Sequence, residues 1–199
     1  PREAKHLREH QTLERARLYD RERETRTALD RILQVAPRFY ADSAEEVTTA
    51  ICRHHRIRVE TERAMEFIDI TDRIEALAAE AGLHTGIVNV QSLHTTTAIV
   101  INEHEPLLLD DFGALLARAA PRDAAYRHDD LTVRTVNLTP DERRNGHAHC
   151  HALLLGSSAS LNVADGRLQL GGWQRVFLVE LDGPRVREIS VMVLGEAAR

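Results

Sequence analysis

Residues 145–158 read NGHAHCHALLLGSS, and the fold turns on whether this stretch is a strand or a helix. On a strand, side chains alternate between two faces, so His147, His149 and His151 would share one face and form a three-histidine metal site. On a helix only His147 and His151 align, and His149 points elsewhere. Asn145 is a good N-cap residue, and Leu153–Leu155 followed by Gly156 have the form of a short helix with its C-terminal stop. The helix is the better reading. Cys150 cannot be oriented as a nucleophile simply by its neighbours in sequence, and LLGSS lacks the G-x-S-x-G spacing, so neither a cysteine nor a serine nucleophile is expected. Gly156-Ser157-Ser158 can offer backbone N–H groups and hydroxyls to an anion such as phosphate.

The segments before it alternate in type. RIRVETERAMEFIDI has the alternation of strands, and DITDRIEALAAEAG places Ile70, Ile74, Leu77, Ala78 and Ala81 on one helical face with Gly82 at its stop. GIVNVQSLHTTTAIVINE predicts two strands interrupted at His94-Thr95-Thr96. EPLLLDDFGALLARAAP predicts a helix with Pro106 in its first turn and an apolar stripe through Leu108, Phe112, Leu115, Leu116 and Ala119. On that helix Asp110 faces solvent, whereas Asp111 borders the stripe and is the carboxylate able to look into a cleft. After residue 158, Asp165-Gly166 and Asp182-Gly183-Pro184 read as turns of two hairpins. Helices early and hairpins late predict an α+β domain with a mixed or antiparallel sheet and flanking helices.

Residues 1–55 differ in texture from residues 56–199. They carry eleven Lys/Arg, ten Asp/Glu and no glycine. Helix formers dominate, but the leucines keep no sustained heptad, so a charged, solvated helical arm is expected. Pro37 ends that pattern, and ADSAEEVTTAICRHH predicts a short second helix capped by Asp42 or Ser43. The chain has a net charge of −5, which supplies no excess of cations to neutralise nucleic-acid phosphates. No apolar run approaches the roughly 20 residues of a membrane span. Two cysteines, Cys52 and Cys150, give no disulfide framework, and a reducing cytoplasm is the expected compartment.

Polar groups suited to chemistry cluster at the ends of these elements. His94 ends a strand, Asn102 and Glu103 end the next, and YRHDD supplies His128 beside Asp129 and Asp130, a combination suited to an oriented histidine or a metal.

Taken together, MEFIDITDRI, HTTTAIVINEHEP, DDF, YRHDD, NGHAHCHALLLGSS and DGRLQLGGWQRVFLVELDGPR resemble the YjbQ-like family, known as secondary thiamine-phosphate synthases, over residues 56–196. The resemblance implies an α+β homotrimer that joins a pyrimidine pyrophosphate to a thiazole phosphate with release of pyrophosphate. Its polar positions are His94, Asn102, Glu103, Asp111, His128, Asp129, His149, Ser157, Trp173, Gln174 and Glu180. His94, His128, His149 and Asp111 are then the expected catalytic groups. Asn102, Ser157, Ser158, Trp173 and Gln174 are expected to bind a small phosphorylated molecule. A divalent metal, Mg²⁺ or Zn²⁺, is expected on His94, Glu103, Asp111, His128, Asp129 and His149. His151 departs from the family, which commonly has lysine there, and Gly172 stands where threonine is usual. Two other readings compete: a metal-dependent hydrolase using a His/carboxylate site, and a trimeric small-anion-binding module without turnover.

Overall fold

Eight strands and three α-helices make up residues 50–198, the part of the chain that the computed structural model describes. The strands are β1 (Ala50–Glu60), β2 (Glu66–Asp69), β3 (Leu83–Ser92), β4 (Thr97–Glu103), β5 (Ser158–Ala164), β6 (Arg167–Leu168), β7 (Gln174–Glu180) and β8 (Val186–Ala197). The helices are α1 (Thr71–Glu80), α2 (Pro106–Ala119) and α3 (Gly146–Leu155), with a short 3-10 turn at Arg127–Asp129. The strands form a five-stranded sheet, ordered β1-β8-β3-β5-β6, and a three-stranded sheet, ordered β2-β7-β4. Every pairing is antiparallel. The fold is α+β, as the sequence predicts.

The inner face of the five-stranded sheet carries Val88, Val90, Leu161, Ile189, Val191 and Val193, which pack with α1 and with Ile99, Val176 and Leu178 of the smaller sheet. The opposite face of the smaller sheet presents Ala98, Phe177 and Val179 to Leu116 of α2 and Ala148 of α3. β7 is thus covered on both sides, which is why VFLV is a continuous apolar run instead of an alternating one. α1 buries Ile74, Leu77 and Ala78 and stops at Gly82 in the left-handed region, φ +71°.

Three expectations change. Of the helix expected at residues 41–55, residues 41–49 lie outside the described residues, and Ala50–His55 belong to β1, paired with Glu196–Val191 of β8. Pairing along all of β8 outweighs local helix preference there. Asp182-Gly183-Pro184 does not turn a hairpin, because β7 and β8 lie in different sheets and the chain crosses between them. On α2 the buried face is centred on Leu109, Phe112 and Leu116, leaving Leu115 55% exposed and Asp111 in solvent. The arm is expected over residues 1–55; residues 1–49 lie outside the described residues, and its last six residues form part of β1.

At the crossing between sheets, Glu180 and Arg187 are buried together. The Glu180 carboxylate accepts from Arg187 Nε at 2.6 Å and Nη2 at 2.5 Å, from Thr61 Oγ1 at 2.9 Å, and from the Asp182 and Gly183 N–H groups. Arg187 Nη2 also donates to Thr96 Oγ1 at 3.1 Å. Burial favours the neutral acid, yet the hydrogen bonds from Arg187, Asp182 and Gly183 outweigh it and hold Glu180 below its usual range. Removing one charge strands the other in the core. Glu180→Gln is therefore expected to cost about 3–5 kcal/mol in urea unfolding. Thr61→Val, which removes one hydroxyl from the same carboxylate, should cost about 1 kcal/mol. Equal, small losses for both would show that the pair does not organise the crossing.

Candidate functional site

The connection from β3 to β4 and the C-terminal half of α3 face each other across a cleft of about 730 Å³. Two backbone bonds fix this meeting: Ser92 N–H donates to Ser157 O at 2.8 Å, and Ile99 N–H to Gly156 O at 3.2 Å. Gly156 holds φ +88°, a conformation that lets the chain leave α3 and run straight into β5. His94, Thr95, His149, Leu153 and Ser157 line the space.

His94 is locked in place. Its Nε2 accepts from Glu188 N–H at 2.8 Å, so the neutral ring carries its proton on Nδ1. Its own N–H donates to Ser92 Oγ, which is hydrogen-bonded in turn to Thr97 Oγ1. Burial pushes the His94 pKa below its ordinary value, Arg187 and Arg185 lower it further, and Glu180 and Glu188 pull it back up. His149 is lowered by burial, then by His128 and Arg134, against Asp182 and Asp129, which raise it. Both imidazoles are neutral at pH 7.

His128 stands behind His149, with ring centroids 4.5 Å apart. Arg134 Nη1 donates to His128 Nε2 at 3.1 Å and to Glu142 Oε1 at 2.7 Å, which leaves the His128 proton on Nδ1. Arg134 and Glu142 were not singled out by the sequence; their only signal there is a polar loop.

The helix reading of residues 146–155 holds. His147 and His151 share its buried face, 3% and 1% exposed, with ring centroids 5.9 Å apart. His151 Nε2 donates to Leu116 O at 2.7 Å. The three histidines therefore do not share one face, and His149 alone reaches the cleft.

The remaining expected residues are placed elsewhere. Asp129 Oδ1 accepts from the Asn145 and Gly146 N–H groups at 3.0 and 2.9 Å, capping α3 where Asn145 makes no side-chain cap. Glu103 pairs with Gln174 and Asn102 with Arg175 at the far end of the smaller sheet. Trp173 is 77% exposed, and Gln174 Oε1 accepts from Gly171 N–H at 2.8 Å. A Cβ at Gly172 would meet nothing within 4 Å, so packing does not explain the missing threonine. Ser158 opens β5 opposite Gln91, and Asp111 does not line the cleft.

The six residues expected to hold Mg²⁺ or Zn²⁺ do not make one cage within the chain. Among the described residues no three His, Cys, Asp or Glu side chains lie close enough together to hold a metal ion. Asp129 Oδ1 is taken by the helix cap, and Nε2 of both His94 and His128 already accepts a hydrogen bond from the protein. No helix among the described residues is long and apolar enough to cross a membrane.

Two packed antiparallel sheets, with α2 and α3 on the outer face of the smaller one and a histidine-lined cleft at the β3–β4 connection, define an α+β protein of a particular kind. The family model described as UPF0047 protein YjbQ-like matches residues 55–196, and the chain belongs to that family. A UPF0047 protein of Methanothermobacter thermautotrophicus is 40% identical over 68% of this chain and 87% of its own length. The UPF0047 protein YugU of Bacillus subtilis is 31% identical over 70% of this chain and 97% of its own. A crystal structure of a YbjQ-like protein of unknown function from Sulfolobus solfataricus P2 superposes with a TM-score of 0.67 at 36% identity, covering 74% of this chain and all of that one.

These findings correct the expected activity. The relatives are described as UPF0047 proteins, and the Sulfolobus structure as one of unknown function; none carries a thiamine-phosphate synthase name. The synthase assignment therefore does not stand.

Asp129 gives a direct test of cap against metal ligand. Asp129→Ala should lose about 1 kcal/mol of stability by uncapping α3, and Asp129→Asn, which keeps Oδ1, should recover most of it. Added Mg²⁺ or Zn²⁺ that raised the wild-type melting temperature but not that of Asp129→Asn would point to a ligand role instead.

Proposed function

We propose that the His94/His149 cleft binds a small phosphorylated molecule and that the protein is an enzyme moving a proton on it. The observation that carries this reading is that two neutral, differently held imidazoles from distant segments line one open cleft. His94, with Nε2 occupied by Glu188 N–H, keeps its Nδ1–H as a fixed donor for a phosphoryl oxygen. The Thr95 and Ser157 hydroxyls line the same space and make no hydrogen bond to another described residue, so they add donors. His149 is the proton acceptor: its ring nitrogens are unbonded among the described residues, and its lowered pKa keeps it a free base at pH 7. Dipoles set in advance then receive the phosphate charge.

The subunits are proposed to associate as the homotrimer that the family resemblance implies. Supporting this, Leu153 and Leu154 on α3 are 85% and 64% exposed, and Leu107 on α2 is 73% exposed. Adjacent large apolar side chains left in water favour a protein contact. Leu153 also lines the cleft, so association there would narrow it.

Inorganic phosphate titrated into ¹⁵N-histidine-labelled protein should shift the ring resonances of His94 and His149 first. Loss of the His94 donor in His94→Ala should weaken phosphate by about tenfold or more, the scale of a hydrogen bond to a charged group. Unchanged affinity in both His94→Ala and His149→Ala would remove this reading.

The pH dependence has a definite sign. His149 titrates below the ordinary value of 6.5, so a rate that needs its free base is level above pH 6.5 and falls only in more acid solution. The same depression means that its contribution to stability is complete above 6.5 and is lost as pH falls through the folded-state value. A rate that rises on acidification would reverse the assigned role. For the assembly, light scattering should give three times the chain mass, and Leu153→Glu with Leu154→Glu should lower it; a wild-type monomer would exclude the trimer.

A further inference from the structure

A second cavity lies on the other flank of α3, between α2 and the smaller sheet. It has a volume of about 250 Å³ and is walled by Phe67, Phe112, Phe177, Leu109, Leu116 and Leu155, with the Asn102 amide as its polar lining group. The Phe67 ring stands 6.1 Å from Phe112 and 6.3 Å from Phe177, the latter at 84°, so the three rings bound the space instead of stacking across it. Close-packed interiors leave few voids larger than a water molecule. An apolar cavity of about 150 Å³ is enough to hold benzene, so this one has room for a substituted ring.

The lining also fixes which end of a ligand is polar. Asn102 Oδ1 already accepts from Glu103 N–H at 2.9 Å, which leaves the Nδ2 protons as free donors among the described residues. Two residues on, His104 is turned by Asp69 Oδ2 through Nδ1 at 3.1 Å, and its ring rests edge-on against Phe177 at 5.3 Å. The polar side of the cavity is therefore the side of β4, and what it offers first is a donor. No charged side chain lines the walls, so an anion there would be desolvated without compensation.

We propose that this cavity binds a neutral aromatic ring bearing one oxygen acceptor, a phenol-like group, with the ring among the three phenylalanines and the oxygen at Asn102 Nδ2. The site is separate from the phosphate cleft and does not rest on that reading. α3 contributes Leu155 to one and His149 with Leu153 to the other. Placement on two flanks of one helix leaves each site open to its own substitution.

Phenol and toluene are the probes, read by methyl resonances of Val100, Leu109, Leu116 and Leu155 in the full chain. Phenol should give saturable shifts confined to those methyls and should bind more tightly than toluene. Asn102→Leu should weaken phenol about three- to tenfold, the scale of one neutral hydrogen bond, and leave toluene unchanged or stronger. Leu115→Trp, at a lining position 55% exposed, should fill the mouth and abolish both without unfolding the protein. Inorganic phosphate should still shift His94 and His149 in Leu115→Trp, so failure of one site is not confused with failure of the other. No saturable shift in the wild type would overturn the proposal, whether because the cavity stays empty or because a second copy's side chain fills it. Equal phenol affinity in Leu115→Trp, or an Asn102→Leu variant with unchanged phenol preference, would overturn it as well.

Discussion

The carboxylate of Glu180 and the guanidinium of Arg187 meet in the interior, at the point where the chain leaves one sheet for the other. Thr61, following β1, donates to the carboxylate, and Thr96, preceding β4, accepts from the guanidinium. Four separate segments are thereby tied to one charge pair. A buried ion pair gives little net stability over a well-packed apolar alternative, but it tolerates few geometries. The pair is therefore better understood as setting the crossing than as holding the fold together by strength. The cleft inherits this setting. His94 lies two residues before Thr96 and accepts from the N–H of Glu188, the residue after Arg187.

Local patterns in the sequence carried far. α1, with Ile74, Leu77 and Ala78 on one face and Gly82 at its stop, is legible because helix period and left-handed cap are both local properties. The same holds for α3, where the Leu153–Leu155 run and Gly156 decide against a strand. What local pattern cannot carry is partnership. Asp182-Gly183-Pro184 has the composition of a hairpin turn, and only the buried pair beside it shows that the flanking strands belong to different sheets. Ala50–His55 look helical until β8, far along the chain, supplies their hydrogen-bond partners. On α2 the stripe was right in kind but rotated, since Leu108 and Leu109 are both apolar and only packing chooses between them.

The site was legible in its histidines and less so in its carboxylates. His94 lies in the connection after β3, where loops place polar groups on a rim, and His149 stands within α3 on a face apart from His147 and His151. Asp129 has the same appearance beside His128, yet its oxygen is taken by two N–H groups at the start of α3. A cap supplied from another segment has no local signature, because the cap residue and the helix are joined only in space. Arg134 was missed for the same reason: nothing in its neighbourhood says that it will set the tautomer of His128.

The position of β8 has a consequence for how the molecule comes into being. β8 is the last of the described strands in sequence order, and it lies between β1 and β3, pairing with both. Among the described residues β1 is hydrogen-bonded to β8 alone, so it lacks that partner until β8 has been synthesised. Domains dominated by such distant pairings fold slowly. The interval exposes apolar strand edges to other chains, and a prematurely ended chain would lose the middle of its larger sheet instead of a dispensable edge.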